Sequence, residues 1–265
     1  QTNSFAAAIE QYNPALMQKP DDVNAVRGLA DAYDKRGEYE KALDAIRRAV
    51  QIDPTNEQLI NLYISYEEQH GNVDRALELR RQLRQLAPKN YANRRRLAIG
   101  YAQIKRYDDA FAEVQDLLKE EGQTRANVAT LAQIDSIAGK PQDGLDAIRN
   151  YINSLGDQAQ ADDIVLMARF LLTNGMSDQA VDWYERAIKK EDPTLRQVSR
   201  ELADVAFSSG RYAEALKLYQ PILESKPDDE SVKLRLTETL VKLNRFDEAT
   251  KLLATVKQDN ATIAV

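Results

Sequence analysis

Small residues recur along the chain at a nearly constant interval: Ala8, Ala42, Ala76, Ala110, Gly144, Ala180, Ala215 and Ala249, spaced by 34, 34, 34, 34, 36, 35 and 34 residues. Thirteen residues before each, from Ala42 onward, stands a largely apolar column of Leu29, Tyr63, Leu97, Leu131, Met167, Leu202 and Leu236. The next position is mostly small: Ala30, Ile64, Ala98, Ala132, Ala168, Ala203 and Thr237. Five residues before the small column comes a turn signal, Gly37, Gly71, Lys105, Gly139, Gly175, Gly210 and Asn244. Twelve after it lies a breaker, Pro20, Pro54, Pro88, Gly122, Gly156 and Pro227, with Asp192-Pro193 serving in the fifth unit. Within each half the apolar positions follow the helical period. Val26, Leu29, Ala30 and Tyr33 make one stripe, and Ala42, Leu43, Ile46 and Ala49 the other. Each unit therefore predicts a helix, a tight turn, a second helix and a stop, where proline cannot continue the ladder. Such a hairpin cannot bury both of its faces alone, so it stacks on its neighbours.

The columns Leu29-Ala30, Tyr33, Gly37, Tyr39, Ala42, Ile46, Ala49 and Pro54 resemble the tetratricopeptide repeat, and the match runs over essentially the whole chain. The resemblance implies an all-α fold, a right-handed superhelical solenoid of antiparallel helix pairs occupying 1–265 as one array. Full repeats are expected at about 23–56, 57–90, 91–124, 125–158, 161–194, 196–229 and 230–263, with 1–22 holding the second helix of a truncated repeat. Phe5, Ala8, Tyr12, Ala15 and Pro20 fit second-helix columns whose first helix is missing, and Asn260–Val265 lacks a polar capping helix. The chain thus reads as a piece of something longer, with neighbouring repeats or domains.

Composition removes several function classes. The chain has 265 residues, no cysteine and a single histidine, so thiolate chemistry and multi-histidine metal sites are out. No cofactor and no catalytic residue are expected. Glu67-Glu68, Asp108-Asp109 and Glu120-Glu121 are adjacent in sequence and diverge on a helix, so they form no carboxylate dyad. His70 precedes a turn glycine and is expected to be an exposed turn residue. No stretch is long and apolar enough to cross a membrane. The 35 alanines fit a helical protein.

Departures from the repeat are more informative than agreement with it. Glu67 and Arg80 both occupy packing columns, which predicts a partly buried ion pair between them. In the fourth repeat Asp135 replaces an apolar residue, Gly144 replaces alanine, Pro141 opens the second helix and the spacing slips to 36. Glycine inside a helix costs about 1 kcal/mol relative to alanine, so this repeat reads as the weak one. A change in superhelical regularity is expected between 139 and 162.

Formal net charge is −6, but it is uneven. Ten basic residues and one acid, Glu78, lie between Arg75 and Arg106, a local balance of 10 − 1 = +9 against −15 for the rest. In the family that the chain resembles, the first helix of each repeat lines the concave groove. By that resemblance Arg27, Asn61, Arg95 and Arg96 face a partner, and Arg94 in the same run joins the candidate set. The partner expected there is a protein or peptide segment, with an acidic one favoured by the arginines. Arg27 falls where a lysine of the family's chaperone-binding carboxylate clamp sits, but Asp31 and Leu62 replace the clamp asparagines, which argues against that clamp. Tyr91, Tyr101 and Tyr107 interleave with the arginines, yet Tyr101 and Tyr107 hold core columns, so nucleic acid is disfavoured. Trp183, with Tyr184, reads as core or as an interface anchor. The expected function is a protein-interaction scaffold that is not itself an enzyme. The alternative is the helical region of a larger bacterial envelope or secretion assembly, or of a multidomain enzyme. The lack of cysteine leans towards bacterial cytoplasm, periplasm or cell envelope without deciding among them.

Overall fold

The computed structural model describes residues 2–188 and 195–256, with side chains over 5–187 and 199–256. The Asp192-Pro193 breaker and the tail Asn260–Val265 lie outside the described residues. Every regular element among the described residues is helical. The chain falls into two compact units, 1–130 and 131–265.

Unit 1 holds α1 (Thr2–Gln18), α2 (Val23–Lys35), α3 (Tyr39–Ile52), α4 (Glu57–Gln69), α5 (Val73–Leu86), α6 (Tyr91–Gln103) and α7 (Tyr107–Glu120). It ends within α8 (Arg125–Ile137), which runs across the boundary. Each of these helices up to α7 packs on the next. Asp22, Asn56 and Asn90 cap the first helices α2, α4 and α6 by accepting backbone N–H bonds. The small columns let α2 and α3 close on Val26, Ala30, Ala42, Ile46 and Ala49, all buried. That core continues without a gap into Leu59, Tyr63, Ile64, Ala76 and Leu83 of the following pair. At the other end α1 covers α2 through Ile9, Tyr12 and Leu16 against Leu29, Ala32 and Tyr33.

Unit 2 continues with α9 (Pro141–Leu155), a 3-10 turn (Gly156–Gln158), α10 (Ala161–Thr173), α11 (Ser177–Ile188), α12 (Leu195–Ser208), α13 (Tyr212–Ser225), α14 (Glu230–Lys242) and α15 (Phe246–Leu253). Successive helices from α9 to α15 again pack on one another. Its small-column residues Ala180, Ala215 and Ala249 are buried, as is Gly144.

One backbone device recurs at every turn inside a helix pair. Gly37, Gly71, Lys105, Gly139, Gly175, Gly210 and Asn244 all have positive φ, from 59° to 79°. The residue after each donates its N–H to the carbonyl five positions back: Glu38 to Tyr33, Asn72 to Glu67, Arg106 to Tyr101, Lys140 to Asp135 and so on to Arg245 and Leu240. This is the Schellman closure of a helix, and it needs a left-handed residue. Lys105 and Asn244 adopt it without glycine's freedom, at a cost of about 1–2 kcal/mol for a side-chain-bearing residue such as Lys105.

The expected Glu67–Arg80 pair does not form, although both residues are buried. Arg80 instead donates to Glu68 Oε1 at 2.6 and 3.0 Å and to Asn93 Oδ1 at 3.1 Å. Glu67 accepts from the Tyr39 hydroxyl at 3.2 Å and from Asn72 Nδ2 at 2.8 Å. Adjacent positions on a helix point about 100° apart. Glu67 therefore turns back to α3, while Arg80 meets the neighbouring Glu68 of α4 and Asn93 of α6.

In the fourth repeat Pro141 occupies the first turn of α9, where a missing N–H costs nothing. Asp135 is buried, and burial first, then repulsion from Asp143, pushes its carboxyl up to about 6. The folded protein holds this proton more tightly than the unfolded chain does. The associated stability is complete below the ordinary carboxylate range and is lost as pH rises through about 6. Asp135→Asn is therefore expected to melt higher than the parent at pH 8, with the difference shrinking as pH falls from about 6 and vanishing only below the ordinary carboxylate range. Thermal melts at a series of pH values check this, and a difference that does not depend on pH would contradict it.

Candidate functional site

The first helices α2 and α4 lie side by side in unit 1 with a cleft of about 650 Å³ between them. Asn24, Arg27 and Asp31 line it from α2, and Gln58, Asn61, Leu62, Ser65, Tyr66 and Gln69 from α4. Arg27 and Asn61, two of the predicted site residues, thus share one cleft. Asn61 is half-buried and donates from Nδ2 to the Glu57 carbonyl at 2.8 Å. Among the described residues, the side chains of Asn24, Arg27, Asp31, Gln58, Ser65 and Gln69 make no hydrogen bond or ion pair within the chain. They form a polar surface of both charge signs, rich in carboxamides.

Behind the cleft stands an aromatic cluster. Tyr66 stacks on Tyr39 at 5.5 Å, and the His70 ring lies 4.3 Å from Tyr39 and 4.5 Å from Tyr66. His70 Nδ1 stands 2.8 Å from the Tyr66 carbonyl oxygen and Nε2 stands 2.9 Å from Asp34 Oδ1. The Tyr66 hydroxyl also donates to Asp34 at 3.2 Å. Burial, then the Asp34 charge, pushes the Tyr66 phenol up, and burial with Glu67 pushes Tyr39 up to about 12. His70 is exposed at the turn, as expected, and in addition its ring ties α4 to α2 and packs against α3. Its partner in sequence space is 36 residues away, which is why neighbouring residues gave no hint of it.

The basic belt is largely spent inside the fold. Arg84 pairs with Glu113 at 2.6 Å and Asp116 at 3.7 Å. Arg94 pairs with Glu113 and with Glu120 at 2.7 Å, and Arg95 with Glu121 at 2.7 Å and Asn127 at 3.1 Å. Arg75, Arg80 and Arg106 pair with Glu78, Glu68 and Asp109. The partners of Arg84, Arg94, Arg95 and Arg106 sit on α7 or just after it, immediately beyond the window that carried +9. Arg81, Lys89, Arg96 and Lys105 are exposed and make no ion pair among the described residues.

The five predicted site residues accordingly separate. Arg27 and Asn61 line the cleft, and Arg96 is exposed at the register position of Leu62. Arg95 is 21% exposed and tethered to Glu121. Arg94 is 1% exposed and belongs to the interior of unit 1. Tyr101 is buried under Arg106, whose guanidinium lies 4.7 Å from the ring centroid. Asn24, Asp31, Gln58, Leu62 and Ser65 stand at the same first-helix register that selects Arg27 and Asn61. Asp31 and Leu62 enter the sequence reading only as replacements of clamp asparagines, and a search led by basic charge passes over Asn24, Gln58 and Ser65.

Two family models, both described as tetratricopeptide repeat, match the chain. One covers residues 1–57 and 165–230, and the other 206–265. The signal recognition particle subunit SRP72 of Canis lupus familiaris is 24% identical over 288 aligned positions, covering 98% of this chain. The chain spans about 40% of the length of that relative. Among solved structures, a tetratricopeptide repeat protein from Parabacteroides merdae aligns with TM-score 0.56 at 14% identity, covering 90% of this chain and 93% of its own. Yeast Tom70 aligns with TM-score 0.63 at 15% identity, covering all of this chain and 56% of its own. At such identities the likeness to the two structures is one of fold.

Proposed function

The chain belongs to the tetratricopeptide repeat family, and on that premise we propose that it is a protein-interaction scaffold holding an extended partner segment in the cleft between α2 and α4. The observation that carries this reading is the set of polar side chains in that cleft with no partner in the chain, namely Asn24, Arg27, Asp31, Gln58, Ser65 and Gln69. An extended peptide offers one donor and one acceptor per residue, and a carboxamide answers both. Arg27 adds a charge-assisted bond to an acidic group of the partner, and Asp31 four residues on limits how much negative charge the cleft tolerates. Arg96 extends the same face along α6, so the partner segment carries isolated acidic residues and not an acidic run.

A second reading has an observation of its own. Nearly the whole chain aligns with less than half of a signal recognition particle subunit. On this reading the array is one region of a larger assembly, and the cleft is one of its contact faces.

Affinity capture from cell extract with the wild-type chain as bait, compared with an Arg27→Ala/Gln58→Ala double variant, tests the proposal. These side chains are exposed, so the variant is expected to fold with unchanged helicity and to lose the captured partner. A Lys217→Ala control in unit 2 is expected to retain it. Full retention by the cleft variant would overturn the assignment of the site.

A further inference from the structure

The slip from 34 to 36 residues between Gly144 and Ala180 has a local structural outcome in unit 2. α9 ends at Leu155, Gly156 turns the chain with φ 54°, and the 3-10 turn delivers the buried Ala159 ahead of α10. Between this turn and α11 lies a notch of about 530 Å³. Its apolar lining comes from Ile152, Ala159, Ile164 and the indole of Trp183, and its polar lining from Asn153 and Arg186. The Arg186 guanidinium sits 4.4 Å from the Trp183 ring centroid. Asp182 is four residues before it on the same helix, a spacing that commonly pairs. The guanidinium nevertheless lies over the indole, and Arg186 makes no ion pair among the described residues. In unit 1 the slot between α5 and α7 is crossed by Arg84 reaching Glu113 and Asp116. The notch beside α11 has no such bridge among the described residues.

We propose that this notch is a second docking site, distinct from the α2/α4 cleft, for a partner protein segment presenting an aliphatic side chain next to a single carboxylate. The aliphatic group fills the space over Ile152, Ala159 and Ile164 and against the indole, where burial of apolar area drives association. The carboxylate takes the outward N–H edge of Arg186 as a bidentate partner, assisted by the Asn153 amide. Stacking on the indole already orders the guanidinium and strips water from one of its faces, so little further ordering is required on binding. Tryptophan and arginine are also the residue types that carry most of the energy in protein interfaces. Asp157, Asp182 and Glu185 stand beside Gly156, Trp183 and Arg186 in sequence and Lys189 and Lys190 follow, so the local sequence holds both charge signs and the stacked Arg186 guanidinium is the group that selects the carboxylate.

Trp183 is the only tryptophan in the chain, so its emission reports on this site alone. The test titrates the full chain with a capped pentapeptide, acetyl-Gly-Leu-Asp-Leu-Gly-amide, and with its counterpart carrying Asn in place of Asp, under tryptophan-selective excitation. A saturable change in Trp183 emission is expected with the Asp peptide, and affinity about tenfold weaker with the Asn peptide. Arg186→Gln is expected to bind both peptides alike and weakly, with unchanged circular dichroism because Arg186 is exposed. Arg27→Ala is expected to leave the titration untouched, which separates this site from the cleft. No saturable change at millimolar Asp peptide, or an undiminished response in Arg186→Gln, would overturn the proposal.

Discussion

Arg94→Ala is expected to destabilise unit 1 by about 3–5 kcal/mol, the cost of stranding one member of a buried ion pair. Arg94 is 1% exposed, and its Nε donates to Glu113 while Nη1 donates to Glu120 at 2.7 Å and to the Pro88 carbonyl at 3.3 Å. Burial opposes the charge, and the bonds donated to Glu120 and Glu113 more than offset it, holding the guanidinium above its ordinary range. Truncation leaves Glu113 inside with Arg84 as its one remaining cation, and it leaves a void where a long side chain had packed. A drop in melting temperature of roughly 10 °C is expected for the transition of unit 1. Arg96→Ala, two positions on and exposed, is expected to stay within about 0.5 kcal/mol of the parent. The double change Arg94→Met/Glu113→Leu is expected to recover much of the loss, since apolar groups of similar volume commonly match a buried pair. Chemical unfolding followed by circular dichroism decides the matter. If Arg94→Ala unfolds like Arg96→Ala, the network contributes no more than a surface pair.

Gly144→Ala reverses the sign that helix propensity assigns to it. By propensity alone alanine gains about 1 kcal/mol over glycine in a helix interior. At this position a Cβ would stand 2.9 Å from the Ala132 carbonyl oxygen and 2.7 Å from Cζ of Phe170. The Phe170 ring can turn aside, but the α8 backbone at Ala132 cannot. The substitution is therefore expected to cost about 1–3 kcal/mol, the range for overpacking a close contact. The check is the denaturant midpoint of unit 2, which should fall with an unchanged slope. A variant more stable than the parent would mean that α8 and α9 can separate freely.

Arg94 stands in the column of Val26 and Ile60, and Gly144 in the small column otherwise held by alanine. Both expected outcomes thus come from places where the repeat departs from its own pattern, and such departures differ in how far they can be read. The weakness assigned to Gly144 follows from averaging over helices, whereas its real role depends on a backbone one helix away. The pair drawn between Glu67 and Arg80 used the right two buried positions and the wrong partners. Column positions specify which residues are interior, but not which of two opposite faces each side chain takes. His70 illustrates the same limit, since its bonds to Asp34 and to the Tyr66 carbonyl depend on α2 and α4 lying side by side.

The candidate cleft was partly legible. Register along the first helices leads to Arg27 and Asn61, and these do share a cleft with Asn24, Gln58 and Ser65. The same register also leads to Arg95, and the charged run to Arg94, yet their cations are held by Glu121 and by Glu113 and Glu120. A run of bases in one helix says little while the acids of the next helix stay outside the count.

From the sequence alone come the helices, their pairing, and a tight turn at every position of one column. These depend on short-range physics: apolar spacing, proline and glycine placement, and one residue per repeat that closes a helix end. Only the tertiary structure decided which charges are neutralised, which glycine is a close contact, and which polar side chains remain available to a partner. Those outcomes turn on distances between side chains about one repeat apart in sequence, and packing sets such distances where local propensity cannot.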